Sequence, residues 1–198
     1  MDARRRRILR AASCALAAAL VSCCLPLAAF ARTDGGDAVL GCSAADLGIS
    51  EERLPGIDAS HAALMDEEGT LWYGRAAGER AQIASLTKIM TAAVAAEHLD
   101  AGDRVVTASG NDAASAVAQA AGAAILGGRG QDGGAAACEA AFVEAMNAKA
   151  AELGMDGTRF ANPHGLDFDA YVQGQYSCAR DVAVMLWHAM GNGLVRSS

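Results

Sequence analysis

From Ser85 to Leu99 the chain runs without a proline and sets Leu86, Ile89, Met90, Ala93, Val94 and Leu99 along a roughly helical stripe. A helix with such a face must bury it against a neighbour, so this stretch constrains the whole fold. Asp100-Ala101-Gly102 ends it. A second helix is expected from Asn111 to Leu126, opening with Asn111 and Asp112, both favourable beside the positive end of a helix dipole. The glycines between Gly127 and Gly134 mark a loop. Ala135 to Leu153 reads as a third helix with Gly154 as its stop, and a last one covers roughly 179–190. Alanine and glycine are abundant and aromatic residues make up 5% of the chain, so the core must rely on small side chains packed closely between helices. At 198 residues the length suits one domain.

Two short strands precede the helices. Ala62-Ala63-Leu64-Met65 and Thr70-Leu71-Trp72-Tyr73 form a hairpin joined by Asp66-Glu67-Glu68-Gly69, whose glycine suits a positive φ. Residues 32–58 show little periodicity and read as an irregular, loop-rich segment. Residues 1–31 read as an address: Arg4 to Arg7 and Arg10 form a cationic start, Ala11 to Leu27 is apolar and uncharged, and Ala29-Phe30-Ala31 offers small residues where a signal peptidase cuts. The expected mature N-terminus is Arg32, and the expected location is beyond the cytoplasmic membrane, in the cell envelope or outside the cell. An uncleaved span and a lipid anchor on Cys23, within Leu20-Val21-Ser22-Cys23, stay open as alternatives.

Removal of residues 1–31 leaves eleven cationic against twenty-two anionic side chains, a formal charge of −11. Such a balance lacks the basic footprint of a nucleic-acid-binding protein. Six cysteines fall to three, Cys42, Cys138 and Cys178, whose odd number and wide spacing argue against a disulfide framework. One bridge is allowed; small buried thiols are the simpler expectation. No paired-cysteine or paired-histidine spacing suggests zinc, and no metal or cofactor is expected.

Chemistry enters at Ser85-Leu86-Thr87-Lys88. Positions i and i+3 of a helix share a face, with Cβ atoms roughly 5–6 Å apart, so the Lys88 amine can reach the Ser85 hydroxyl and take its proton. Taken alone, Ser109-Gly110-Asn111 is a turn that caps the following helix. His164, between Pro163 and Gly165, reads as a loop imidazole that bonds backbone rather than as a base. Asp167 and Arg180-Asp181 read as loop fixation and capping, and Cys178 lacks an evident base.

Together, Ile83-Ala84-Ser85-Leu86-Thr87-Lys88-Ile89-Met90-Thr91, Ser109-Gly110-Asn111-Asp112-Ala113-Ala114 and Asn162-Pro163-His164-Gly165-Leu166-Asp167 resemble the serine D-alanyl-D-alanine carboxypeptidases, the low-molecular-mass penicillin-binding proteins. The likeness runs from about Ala62 to Met190. It implies an α/β fold like that of the serine β-lactamases and penicillin-binding proteins, with helices packed on an antiparallel sheet, and places a partial domain at 59–198. It also implies the chemistry. Ser85 would attack the terminal peptide bond of a peptidoglycan stem ending in D-Ala-D-Ala, form an acyl-enzyme and release D-alanine. Lys88 would be the base, Ser109 would relay a proton to the departing amine, and Asn111 would hydrogen-bond the peptide. β-Lactam antibiotics would acylate the same serine. A serine β-lactamase, and a peptidoglycan- or penicillin-binding protein without turnover, are the alternative readings.

Two departures from the family accompany the matches. The family's Lys-Thr-Gly strand does not occur, since Lys88 and Lys149 are the only lysines, and its C-terminal strands are expected to be missing. Several dozen residues separate the family's first two motifs, whereas here Val105-Val106-Thr107-Ala108 runs straight into Ser109. A sheet reduced to one hairpin, without the family's second lysine, would leave the Ser85–Lys88 pair wet and Lys88 mostly protonated at neutral pH, with acylation slow or undetectable and release of D-alanine negligible.

Overall fold

The computed structural model describes residues 36–100, 110–167 and 174–193. The chain divides into two units, Met1–Ala31 and Arg32–Ser198, and the described residues all belong to the second. Its strands are β1 (Asp37–Val39), β2 (Cys42–Ser43), β3 (Ala62–Met65) and β4 (Leu71–Arg75), and its α-helices are α1 (Thr87–His98), α2 (Asn111–Gly128), α3 (Ala135–Glu152) and α4 (Ala179–Gly191).

The expected hairpin forms, with Ala62 opposite Arg75 and Leu64 opposite Tyr73, and a register shift between Leu64 and Met65. Its turn is held by Asp66, which accepts the Thr70 amide at 2.7 Å and the Trp72 indole N–H at 2.6 Å. Gly69 takes the positive φ, 83°, that the turn requires. The sheet is larger than the hairpin. Its order is β2-β1-β4-β3, all antiparallel, because the segment expected to be irregular supplies two further strands. At three and two residues these strands are too short to show alternation, and what fixes them is a pairing across the sheet. Asp37 lies opposite Arg75 in the β1–β4 ladder, and their side chains pair twice, Nε to Oδ1 at 2.7 Å and Nη2 to Oδ2 at 3.0 Å. This contact holds the Asp37 carboxyl below its usual range, and Arg75 also donates to the Ile57 carbonyl at 2.8 Å.

The helices pack as the stripe from Ser85 to Leu99 demands. Met90 and Val94 of α1 meet Ala118, Ala121 and Ile125 of α2, Phe142 and Met146 of α3, and Met185 of α4, with Met155 and Phe160 closing the core. Bulky anchors are few, and close approach takes their place. A Cβ at Gly122 would overlap the Cys138 backbone, so α2 and α3 touch through a bare glycine. Gly154, with φ 68°, ends α3 as expected. Cys138 and Cys178 are buried, Cys42 is exposed, and all three are free thiols. Burial pushes the Cys178 thiol up to about 11, which suits an inert packing residue. No described helix is long and apolar enough to cross a membrane.

Candidate active site

Ser85 does not sit in α1. It occupies a 3-10 turn, Ala84–Leu86, that leads into the helix at Thr87. Ser85 thus precedes the first helical residue by two positions, and Lys88 lies in the first turn of α1. Lys88 Nζ lies 3.0 Å from Ser85 Oγ and donates to the His164 carbonyl at 2.9 Å. Ser85 is exposed, while Lys88 is half-buried and burial pushes its pKa below the ordinary lysine value. The cover expected only from later strands thus comes in part from the loop around His164.

That loop is built from its own backbone. Asn162 Oδ1 accepts the amides of Gly165 at 2.8 Å and His164 at 3.2 Å, and its Nδ2 donates to the Leu166 carbonyl at 2.7 Å. His164 Nδ1 accepts the Leu166 amide at 3.1 Å, so the ring proton of the neutral imidazole sits on Nε2. Burial lowers the His164 pKa, Glu139 and Asp112 oppose that shift, and Lys88 adds to it. The imidazole therefore braces the turn, as the sequence suggests. Asp167 ties the loop outward, accepting from Gly174 N at 3.1 Å and from Gln82 Nε2 at 3.3 Å.

Two residues outside the sequence candidates join the loop to the helix. Thr91, one turn beyond Lys88, is buried and donates to the Pro163 carbonyl at 2.6 Å. Gly165 presses on the peptide before Ser85 so closely that a Cβ there would overlap the Ala84 carbonyl. Only the three-dimensional approach of segments about 80 residues apart reveals either role.

Of the four sequence candidates, Ser85 and Lys88 come together. Asn111 is half-buried as the first residue of α2, behind Gly110, whose extended backbone (φ −121°, ψ 152°) turns the chain into the helix. Asp112 follows Asn111 in the first turn of α2. Ser109 and the short link that precedes it lie outside the described residues. Arg180 and Asp181 stand apart. Asp181 is fully buried at the start of α4, where Oδ2 accepts Gly157 N and Thr158 Oγ1, each at 2.8 Å, a structural tie as expected. A hollow of about 630 Å³ near Trp187, Met190 and Glu67 involves neither Ser85 nor Lys88. Among the described residues no three His, Cys, Asp or Glu side chains gather to hold a metal.

Helices packed beside an antiparallel sheet form the layered arrangement of the penicillin-binding and DD-peptidase folds, and the solved structures agree. The chain is similar to a D-alanyl-D-alanine carboxypeptidase from Mycobacterium tuberculosis H37Rv, at 27% identity and TM-score 0.54, over 72% of this chain and 60% of that one. It is also similar to the R248L mutant of the Streptomyces K15 DD-transpeptidase, at 25% identity and TM-score 0.55, over 71% and 64%. Residues 103–196 match the D-alanyl-D-alanine carboxypeptidase family, Peptidase S11. D-alanyl-D-alanine carboxypeptidase DacF of Bacillus subtilis (strain 168) is 32% identical over 165 residues, 65% of this chain and 38% of that protein. The chain is thus similar to D-alanyl-D-alanine carboxypeptidases over part of its length, and it spans less than two fifths of the length of the curated relative it matches.

Proposed function

We propose that the chain acts as a serine D-alanyl-D-alanine carboxypeptidase on peptidoglycan stem peptides, with an acyl-enzyme on Ser85. The contact that carries this reading is the 3.0 Å approach of Lys88 Nζ to Ser85 Oγ. With the amine neutral the contact runs the other way, the hydroxyl donating to the nitrogen lone pair. The His164 carbonyl takes one N–H of Lys88 at 2.9 Å, which in the neutral amine leaves the lone pair for Ser85. Burial, which favours the neutral amine, supports the same assignment.

In the proposed cycle Lys88 takes the Ser85 proton as Oγ attacks the carbonyl between the two D-alanines. Collapse of the tetrahedral intermediate breaks the C–N bond, the proton passes to the departing amine, and D-alanine leaves. Water then attacks the ester, gives its proton to Lys88, and restores the Ser85 hydroxyl as the acid departs. Ser109 is assigned the proton relay to the leaving amine and Asn111 a hydrogen bond to the peptide. The same attack on a β-lactam opens its ring and leaves a penicilloyl ester on Ser85. Residues 59–198 are assigned to the partial catalytic domain, behind the loop-rich 32–58. The cationic start and Ala29-Phe30-Ala31 support export by a signal at 1–31 and action in the cell envelope.

Intact-mass measurement after prolonged incubation with a penicillin checks the chemistry: a penicilloyl adduct mapped to Ser85 and absent in Ser85→Ala is expected, with D-alanine released from a D-Ala-D-Ala peptide. Adduct without D-alanine would point to a binding protein, and rapid hydrolysis of the penicillin to a β-lactamase. No adduct at all would remove the reading. For export, N-terminal sequencing of the exported protein should start at Arg32, and an intact Met1 would contradict it.

A further inference from the structure

We propose that Gly165 is a positioning residue for the reacting pair: its bare Cα lets the Asn162–Asp167 loop lie against the Ala84–Ser85 peptide, which fixes the serine and covers the lysine. The inference rests on the reading of Ser85 and Lys88 as that pair. Two independent features meet at this contact. Ala84 holds φ +44°, a left-handed conformation that L-residues avoid and that persists only where its surroundings enforce it. Gly165 holds φ +90°, and a Cβ on it would overlap the Ala84 carbonyl and lie 3.1 Å from the Ser85 amide nitrogen. The two unusual backbones therefore abut. One opens the 3-10 turn that carries the serine, and the other belongs to the residue just after the carbonyl that Lys88 grips at 2.9 Å.

The consequence is a single clamp with two outputs. Pressing the loop onto Ala84 sets the direction of the Ser85 side chain, and it seats the His164 carbonyl on Nζ while keeping water from the Lys88 stem. Asn162 tightens the clamp from the far side by holding the Gly165 and His164 amides. The titratable group within the loop is His164, on which Glu139 of α3, Lys88 and Asp112 of α2 act electrostatically. An added methyl at Gly165 must lift the loop, so Lys88 should hydrate and Ser85 should gain freedom together.

The test uses Gly165→Ala in the full chain, with Gly154→Ala as control, since Gly154 also has a positive φ but open space around its Cα. Only two lysines are present, so a sample carrying 13Cε-lysine gives one signal for Lys88 and one for Lys149. In Gly165→Ala the Lys88 titration midpoint should rise toward the ordinary lysine value of roughly 10.4 while Lys149 stays put, and the Ser85 acylation rate should fall at least about tenfold. Gly154→Ala should change neither. Asn162→Ala, which adds no bulk, should move Lys88 the same way by a smaller amount and serves if Gly165→Ala does not fold. A folded variant with Lys88 and the acylation rate both unchanged overturns the clamp. Loss of Ser85-dependent acylation already in the unaltered chain would instead remove the catalytic reading, and the Lys88 midpoint would still decide whether Gly165 positions it.

Discussion

At the scale of single residues, the site depends on backbone carbonyls that side chains must satisfy. Thr91 gives its hydroxyl proton to Pro163 O at 2.6 Å in a buried setting. Thr91→Val keeps the shape and removes the donor, leaving a buried carbonyl unpaired; the cost should be about 1–3 kcal/mol in chemical denaturation, with a slower acylation rate because the loop above Lys88 loosens. His164 makes stability depend on pH. Burial lowers its folded pKa, so the unfolded chain binds a proton first as the pH falls through about 6.5. Stability from this group is thus present above that value and drains away below it. The melting temperature should drop between pH 7.5 and 5, a window above the ordinary carboxylate range, and His164→Gln should flatten that part of the profile. An unchanged slope would mean that His164 does not titrate on unfolding.

At the scale of elements, the helices rest on contact rather than on bulk. Gly122→Ala would drive a methyl into the Cys138 backbone and force α2 from α3. We expect a loss of about 1–3 kcal/mol in a denaturant titration, and intact stability would show that the two helices slide freely. Elements of this kind were legible in the sequence. The stripe of Ile89, Met90, Ala93 and Val94, the stop at Gly154 and the turn from Asp66 to Gly69 each carry a local signal and appear where that signal places them, whereas Leu86 is exposed in the 3-10 turn before α1. β1 and β2 were not legible, because two or three residues carry no period and their stability comes from a partner, Arg75, that lies 38 positions away from Asp37. The site divides in the same way. Ser85 and Lys88 could be paired from spacing, though the 3-10 turn beneath Ser85 could not. Thr91 and Gly165 matter only because the chain returns to them, and a local reading has no access to such a return.

At the scale of the whole molecule, the sheet stands on a cross-strand ion pair and the helices on a shared core, and the candidate site belongs to neither alone. Its parts come from the head of α1 and from a loop beyond α3. Lys149 of α3 reaches Glu97 of α1 at 3.1 Å and Glu152 at 2.7 Å, and Glu97 also meets His188 of α4 at 3.3 Å, so the far end of α1 is tied to two other helices. Partly exposed pairs of this kind contribute little individually, ~0–1 kcal/mol, and their value lies in fixing the angle of α1.

The clasp of Lys88 by His164 joins residues 76 apart in sequence, and that separation has a meaning in time. Helices close within their own turns, whereas this contact must close a long loop, and we expect it to form after the helices. A refolding chain should therefore regain its far-ultraviolet helix signal before its serine accepts a label, and labelling that rises in step with the helix signal would show the clasp to be dispensable. Labelling of Ser85 that appears last would mark the clasp as a late event, so that a chain caught half-made would carry the serine and the lysine but not yet the clasp.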